Sequence, residues 1–294
     1  MGETQSAAPG GPYAAPRAVA GLHECWFYHT MELPGHGVVA GPWDLRGGVE
    51  AYLGGVDVRG KRVLDVGAAS GFLSFEMERR GADVVAYDLS DEHDWDSVPY
   101  ARHDHEQGCR QRRAHIRQLN SSFWLGHRAF RSRARMVHGT VYDVPASIGP
   151  VDVATFGCIL LHLRDPFLAL SRVLPLVRET AVVVEFLGKV PEGQPARRPA
   201  LWRRALGRLR RGLGKARPPA APPEPGMVFI PDPEQCLPKE TWWRLSPEVL
   251  CRFLGVLGFR DTTVSYHRQK LDGDLAQLFT VVGRRTDGAA PVSR

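Results

Sequence analysis

The chain has few cysteines and few lysines. Its 294 residues include five cysteines (Cys25, Cys109, Cys158, Cys236 and Cys251), and no two are separated by the short spacing of a zinc knuckle or a redox pair. A disulfide framework is excluded on the same ground, and a reducing, cytoplasmic setting is the expectation. There is also no run of about 18 apolar residues of the kind that spans a bilayer. The stretch Met1 to Arg17 lacks the charged and apolar regions of a secretory signal, so no stable membrane insertion is expected. Lysine numbers only 5 of the 38 basic residues, the other 33 being arginine. Genome composition alone can produce such a bias, so the net charge of +6 argues weakly for a nucleic-acid partner.

What is present is a globular composition, 43% hydrophobic and 24% charged, with enough apolar residues for a large core. The charge is uneven. Residues 109–135 carry eight arginines and no acid, and residues 197–217 carry eight arginines, Lys215 and no acid. With those 17 set aside, 21 basic residues face 32 acidic ones, so an acidic body carries two basic inserts.

Residues 1–24 show no periodicity and read as a loose tail. Residues 25–60 form an aromatic cap segment that opens on Trp26, Phe27 and Tyr28, with a helix expected from Trp43 to Leu53. Residues 61–285 read as one α/β domain with inserts at 89–133 and 188–240, and residues 286–294 as a tail. Strands are expected at Arg62–Val66, Asp83–Tyr87, Ala134–His138, Val151–Phe156 and Ala181–Phe186, with helices at Ser70–Arg80 and Pro166–Val177. A helix capped by Ser246, with Pro247 at its first position, leads into a closing antiparallel hairpin at Thr262–His267 and Leu275–Gly283.

The most specific segment is Val63-Leu-Asp-Val-Gly-Ala-Ala-Ser-Gly71, followed by a helix and by a strand that ends at Asp88, 23 residues after Asp65. An acid two places before a small-residue loop, then a second acid at the end of the next strand, suits a nucleoside lying across a parallel sheet. The loop lets the ligand approach backbone, and the second acid can accept both ribose hydroxyls. A nicotinamide-binding loop is spaced differently and leaves Asp65 unexplained. The segment resembles the first motif of class I S-adenosylmethionine-dependent methyltransferases, with Asp65, Gly67, Ala69 and Gly71 at its positions. Ala69 replaces the middle glycine, a departure that calls for a negative φ.

That resemblance implies a doubly wound, mostly parallel, seven-stranded Rossmann-like sheet, a cofactor that is S-adenosylmethionine, and a methyltransferase activity. It implies Asp88 and its neighbour Leu89 at the ribose, Asp143 and Val144 at the adenine, and Phe156 and Gly157 at the end of the fourth strand. Trp26-Phe-Tyr-His-Thr-Met-Glu-Leu, Pro42-Trp43-Asp44 and His162-Leu-Arg-Asp-Pro resemble the subgroup related to tRNA wobble-uridine carboxymethyl-transferring enzymes. Those enzymes hold a carboxylated cofactor with basic residues, but Tyr28 stands where a lysine is expected and Leu161 where a tyrosine is. A cofactor carboxylate would lack its counter-charge, which favours plain methyl transfer. The acceptor expected is a small molecule, methylated at oxygen or nitrogen in secondary metabolism, with tRNA as the alternative; the oligomeric state is not legible.

His29 and His162 are the candidate general bases, each with the bland alternative of a structural histidine. Trp26, Tyr28 and Trp43 are candidates to wall the substrate pocket or to contact the sulfonium. Arg110 to Arg133 is expected as a lid helix with Ile116, Leu119, Phe123, Trp124, His127 and Phe130 on one face. Asp91-Glu-His-Asp94 and His103-Asp-His-Glu106 have metal-ligand residue types, but methyl transfer from a sulfonium requires no metal, and none is expected. Residues 197–217 have the amphipathic basic pattern of a lid or linker, an RNA-binding helix, or a lipid- or protein-binding one.

Overall fold

The computed structural model describes residues 11–102, 104–190 and 225–287. The cap segment forms a hairpin of β1 (Met31–Leu33) and β2 (Gly37–Val39), followed by β3 (Trp43–Asp44) and a single helical turn, α1 (Val49–Tyr52). The sequence predicted one helix across 43–53. It starts late because the Asp44 carboxylate accepts from the Arg46 amide and Gly47 takes φ +75°, both incompatible with a continuous helix.

The domain then runs through β4 (Arg62–Val66), α2 (Phe72–Arg79), β5 (Asp83–Asp88), α3 (His105–Phe130), β6 (Arg135–His138), β7 (Val151–Gly157) and α4 (Pro166–Val173). It continues as β8 (Val177–Val190), β9 (Met227–Phe229), β10 (Trp243–Leu245), α5 (Pro247–Val256), β11 (Asp261–Leu271) and β12 (Asp274–Arg284). Caps set the helix starts. Asp104, Asp165 and Ser246 accept from the amides of Gln107, Leu168 and Val249, and prolines stand at the first positions of α4 and α5.

One sheet of eight strands has the order β3-β11-β12-β8-β7-β4-β5-β6. The five strands β8, β7, β4, β5 and β6 are parallel, and β12 runs antiparallel between β8 and β11. The sheet is the expected mostly parallel, Rossmann-like α/β sheet with its C-terminal hairpin. The expected count of seven is corrected by β3, which adds Trp43 and Asp44 to the far end of β11. The chain winds outward from β4 through β5 to β6, then returns to lay β7 on the other side of β4. The order therefore reverses between β4 and β7, and a crevice opens at the carboxyl ends of these strands.

Both faces of the sheet are covered, as near-continuous apolar strands require. Leu64, Val85, Phe156 and Val183 pack toward α4 and α5, while Val63, Val84, Val153 and Val182 pack toward α2, α3 and the cap. Ile116, Leu119, Phe123 and Trp124 form the buried face of α3, as expected, and Phe130 lies at its exposed end.

The expectation of a loose tail through residue 24 is corrected from residue 11 onward. The Ala14 amide donates to the Met136 carbonyl (2.8 Å), Arg135 lies 4.7 Å over the Tyr13 ring, Val19 is buried, and Arg17 reaches Ser121 on α3 (2.8 Å). β6 is an edge strand, and this segment covers unpaired peptide groups that its sequence, lacking periodicity, does not advertise.

Asp65 is fully buried in β4. Its carboxylate accepts from Ser74 Oγ on α2 (2.6 Å) and Thr155 Oγ1 on β7 (2.7 Å), so it ties three elements together beneath the crevice. Burial pushes its pKa up, and the two hydroxyls oppose that shift. Asp65→Ala should destabilise the protein by about 2–3 kcal/mol, because two buried hydroxyls lose their acceptor. Urea unfolding measures this; a loss below about 0.5 kcal/mol would contradict the assigned role.

Candidate active site

A cavity of about 520 Å³ occupies the crevice, a size suited to a small organic ligand. One side is built by the loop after β4 and the end of β5. Gly67, with φ +82°, approaches Ile159 so closely that a Cβ there would lie 2.3 Å from Ile159 Cγ2. Ala69 also lies in the left-handed region, at φ +49°, which corrects the negative φ expected for it. That conformation costs on the order of 1–2 kcal/mol for an alanine. The offset is visible: the Ala69 amide donates to Asp88 Oδ2 at 2.6 Å, while the Leu89 amide donates to Asp88 Oδ1 at 2.7 Å.

Asp88 is thus held by one N–H on each oxygen, leaving a second lone pair on each for a ligand. Burial pushes its pKa to about 6, against the lowering effect of the two amides. Leu89 and Gly157 line the cavity beside it.

Five of the expected cofactor residues do not line it. Asp65 serves the sheet as described. Gly71 sits at the start of α2 with φ +89°, pressed against Phe75 and Phe123, and Phe156 is buried in the core. Asp143 is exposed and Val144 buried; Thr140 and Val141, at the start of that turn, line the cavity instead. The turn is set by Tyr87, whose hydroxyl donates to the Thr140 carbonyl at 2.7 Å. Gly139 was the available signal, since any Cβ there would lie 2.3 Å from the Tyr87 hydroxyl oxygen.

At the other side Tyr28 lines the cavity. Its amide donates to Ser70 Oγ (3.2 Å), and its hydroxyl accepts from Trp43 Nε1 (3.2 Å). Trp43 therefore supports Tyr28 from behind. Trp26 packs edge-on to His115, a lining residue of α3, with ring centroids 4.4 Å apart.

The two candidate bases separate. His29 lies behind the wall between Tyr28 and Phe72, its pKa pushed down to about 3 by burial, and is not a lining residue. His162 lines the cavity. Its Nδ1 lies 2.6 Å from the Glu240 carbonyl, and burial, helped by the nearby Arg112 charge, lowers its pKa to about 4.

Both inserts build this end, as expected of the first. The Arg112 guanidinium pairs with the Glu240 carboxylate and lies 5.3 Å over Trp95. Asp96 accepts from Tyr142 Oη and from the Arg164 amide, both at 2.5 Å, and its carbonyl accepts from Trp242 Nε1 at 2.6 Å. Arg112, which no local motif announced, brings a cation to the cavity wall, but its charge is already paired with Glu240.

The basic character of residues 109–135 is largely neutralised in the fold. Arg110, Arg112, Arg113, Arg117, Arg133 and Arg135 pair with Glu106, Glu240, Asp94, Asp91, Glu78 and Asp83, and Arg128 donates to the Val19 carbonyl. Asp91, Asp94 and Glu106 are thereby engaged, while Asp104 caps α3 and His93 bonds Ser90. Residues 197–217 and His103 lie outside the described residues. Among the described residues no helix is long and apolar enough to cross a membrane.

No family model and no curated protein sequence matches the chain. Solved structures similar in fold include a SAM-dependent methyltransferase from Aquifex aeolicus (11% identity, TM-score 0.43, covering 83% of this chain and 91% of that one). A magnesium protoporphyrin IX methyltransferase from Synechocystis PCC 6803 with bound SAH shows 14% identity and TM-score 0.39, covering 78% and 76%. A Burkholderia thailandensis 1,6-didemethyltoxoflavin-N1-methyltransferase shows 15% identity and TM-score 0.40, covering 81% and 75%. At these identities and scores the likenesses decide neither activity nor acceptor.

Beneath the cavity floor Glu185 is buried, accepting from the Leu160 amide at 3.1 Å, and burial pushes its pKa from an ordinary 4.5 to about 8. The folded chain therefore keeps a proton that the unfolded chain loses near pH 4.5, and this contribution to stability is lost as pH rises toward about 8. Asp88 acts in the same direction, but only up to about pH 6. Glu185→Gln should flatten the fall in melting temperature across the whole interval from about pH 4.5 to pH 8, and above pH 6, where Asp88 no longer contributes, the flattening isolates Glu185. An unchanged slope in that variant would contradict it.

Proposed function

We propose that this chain is an S-adenosylmethionine-dependent methyltransferase acting on a small-molecule acceptor at oxygen or nitrogen. The carrying observation is Asp88. A half-buried carboxylate at the end of β5, beside the strand-order reversal, has each oxygen anchored by one backbone amide and one lone pair left over. That donor set fits the two hydroxyls of a ribose, each hydrogen bond to a charged acceptor contributing roughly 1.5–3 kcal/mol. Gly67, Ala69 and Leu89 would hold the nucleoside and its amino-acid part, with Thr140 and Val141 at the base in place of Asp143 and Val144.

When bound, S-adenosylmethionine supplies a methyl group already activated on a sulfonium. The chain's task is then to place an acceptor in line and exclude water, and orientation of this kind can supply about 7–11 kcal/mol. Tyr28, backed by Trp43, walls the cavity; Trp26 fixes His115 rather than meeting the acceptor. His162 is assigned the acceptor's proton: with its pKa lowered to about 4 it is neutral at physiological pH and free to accept, as a weak base. His29 is assigned a structural role.

The tRNA-modifying alternative would use basic surface on phosphate, but α3 spends its arginines on acidic partners, which favours the small-molecule reading. Isothermal titration with S-adenosylhomocysteine tests the proposal. Affinity should fall at least tenfold in Asp88→Ala. In the wild type it should weaken as pH drops below about 6, because a protonated Asp88 no longer accepts both hydroxyls. Absence of binding, or affinity indifferent to both changes, would overturn the proposal.

A further inference from the structure

Glu240 lies in the insert that returns to β10, and no motif singles it out. Its carbonyl sits 2.6 Å from His162 Nδ1. A carbonyl oxygen only accepts, so Nδ1 carries the proton and Nε2 is left as the basic ring nitrogen. The same residue's carboxylate pairs with Arg112, the α3 cation whose charge reaches both His162 and His115. One residue therefore makes both contacts that govern the imidazole: it orients the ring and offsets the charge that opposes its protonation.

We infer that Glu240 is a positioning residue for His162, setting its tautomer through the main chain and its basicity through Arg112. The segment has the rigidity for this. The Val98 amide donates to the Lys239 carbonyl (2.9 Å), Trp242 Nε1 to the Asp96 carbonyl (2.6 Å), and the Trp242 amide to the Leu161 carbonyl (2.8 Å). Glu240 is thus held on both sides, next to the turn that carries His162. The groups that reach the imidazole are the Glu240 carbonyl from the second insert and the Arg112 charge from α3, the latter paired with the Glu240 carboxylate. Asp96 and Arg164 also line this cavity, and they pair with each other.

This assignment rests on His162 being the base of the proposed reaction, yet its test does not need turnover. Long-range ¹H–¹⁵N correlation spectra of the full chain, with the His162 signals assigned by their loss in His162→Gln, report tautomer and titration directly. The wild type should show His162 protonated at Nδ1 at neutral pH; an Nε2-protonated ring would overturn the inference. Glu240→Gln should lower the His162 titration midpoint by about one pH unit, because the Arg112 charge is left uncompensated. Adding Arg112→Met should restore it. A midpoint that moves in neither variant would also overturn the inference. Failure of S-adenosylhomocysteine to bind would instead count against the methyltransferase reading and leave the tautomer result standing.

Discussion

The Asp88 carboxylate is the constraint on which the site depends. It sits where two parallel strands end, and its oxygens hold the backbone of its own strand and of the neighbouring loop. Without the 2.6 Å bond to the Ala69 amide, an alanine would have little reason to occupy φ +49°. The strained loop and the poised acid are two sides of one interaction. The loop gives up some backbone energy, and in return the carboxylate is fixed with its free lone pairs available to a ligand. Asp65, one strand inward, does the complementary work of tying β4 to β7 and α2 so that the loop starts from a rigid base.

Around that fixed side the remainder of the cavity is assembled from segments distant in sequence. The cap brings Tyr28, locked by Trp43 and Ser70; α3 brings Arg112 and His115; the second insert brings Glu240. The cap and α3 share the apolar cluster on one face of the sheet, and the second insert joins them through main-chain bonds and the Arg112–Glu240 pair. Trp242 is buried with Val98 and Tyr100 in a small cluster of its own under this end of the pocket. The arrangement explains why an acidic body carries so many arginines on α3: they fasten the helix to acids on neighbouring segments.

Much of this was legible in the sequence, and the exceptions have physical causes. Strands β4 to β8 were readable because strands buried on both faces form short apolar runs, and the caps at Ser246 and Pro247 announce α5 directly. β3 was missed because two residues are too few for periodicity, and because helical spacing across 43–53 was interrupted by Gly47. In the site, Asp88, Leu89, Gly67, Ala69, Gly157, Tyr28 and His162 were expected and line the cavity. Asp143 was expected at the cavity and does not line it, whereas the neighbouring Gly139, constrained beside Tyr87, does. Arg112 and Glu240 belong to separate inserts, and no spacing rule predicts a contact made only when both fold back over the same crevice.

The proposed arrangement puts the ribose of S-adenosylmethionine at the Asp88 end of the cavity and the acceptor at the His162 end. A crystal structure of the S-adenosylhomocysteine complex tests this most directly. Both ribose hydroxyls should lie on the Asp88 carboxylate, with the Ala69 and Leu89 amide bonds retained, and the thioether sulfur on the side of Tyr28 and His162. A nucleoside bound elsewhere, or one whose ribose turns away from Asp88, would contradict it.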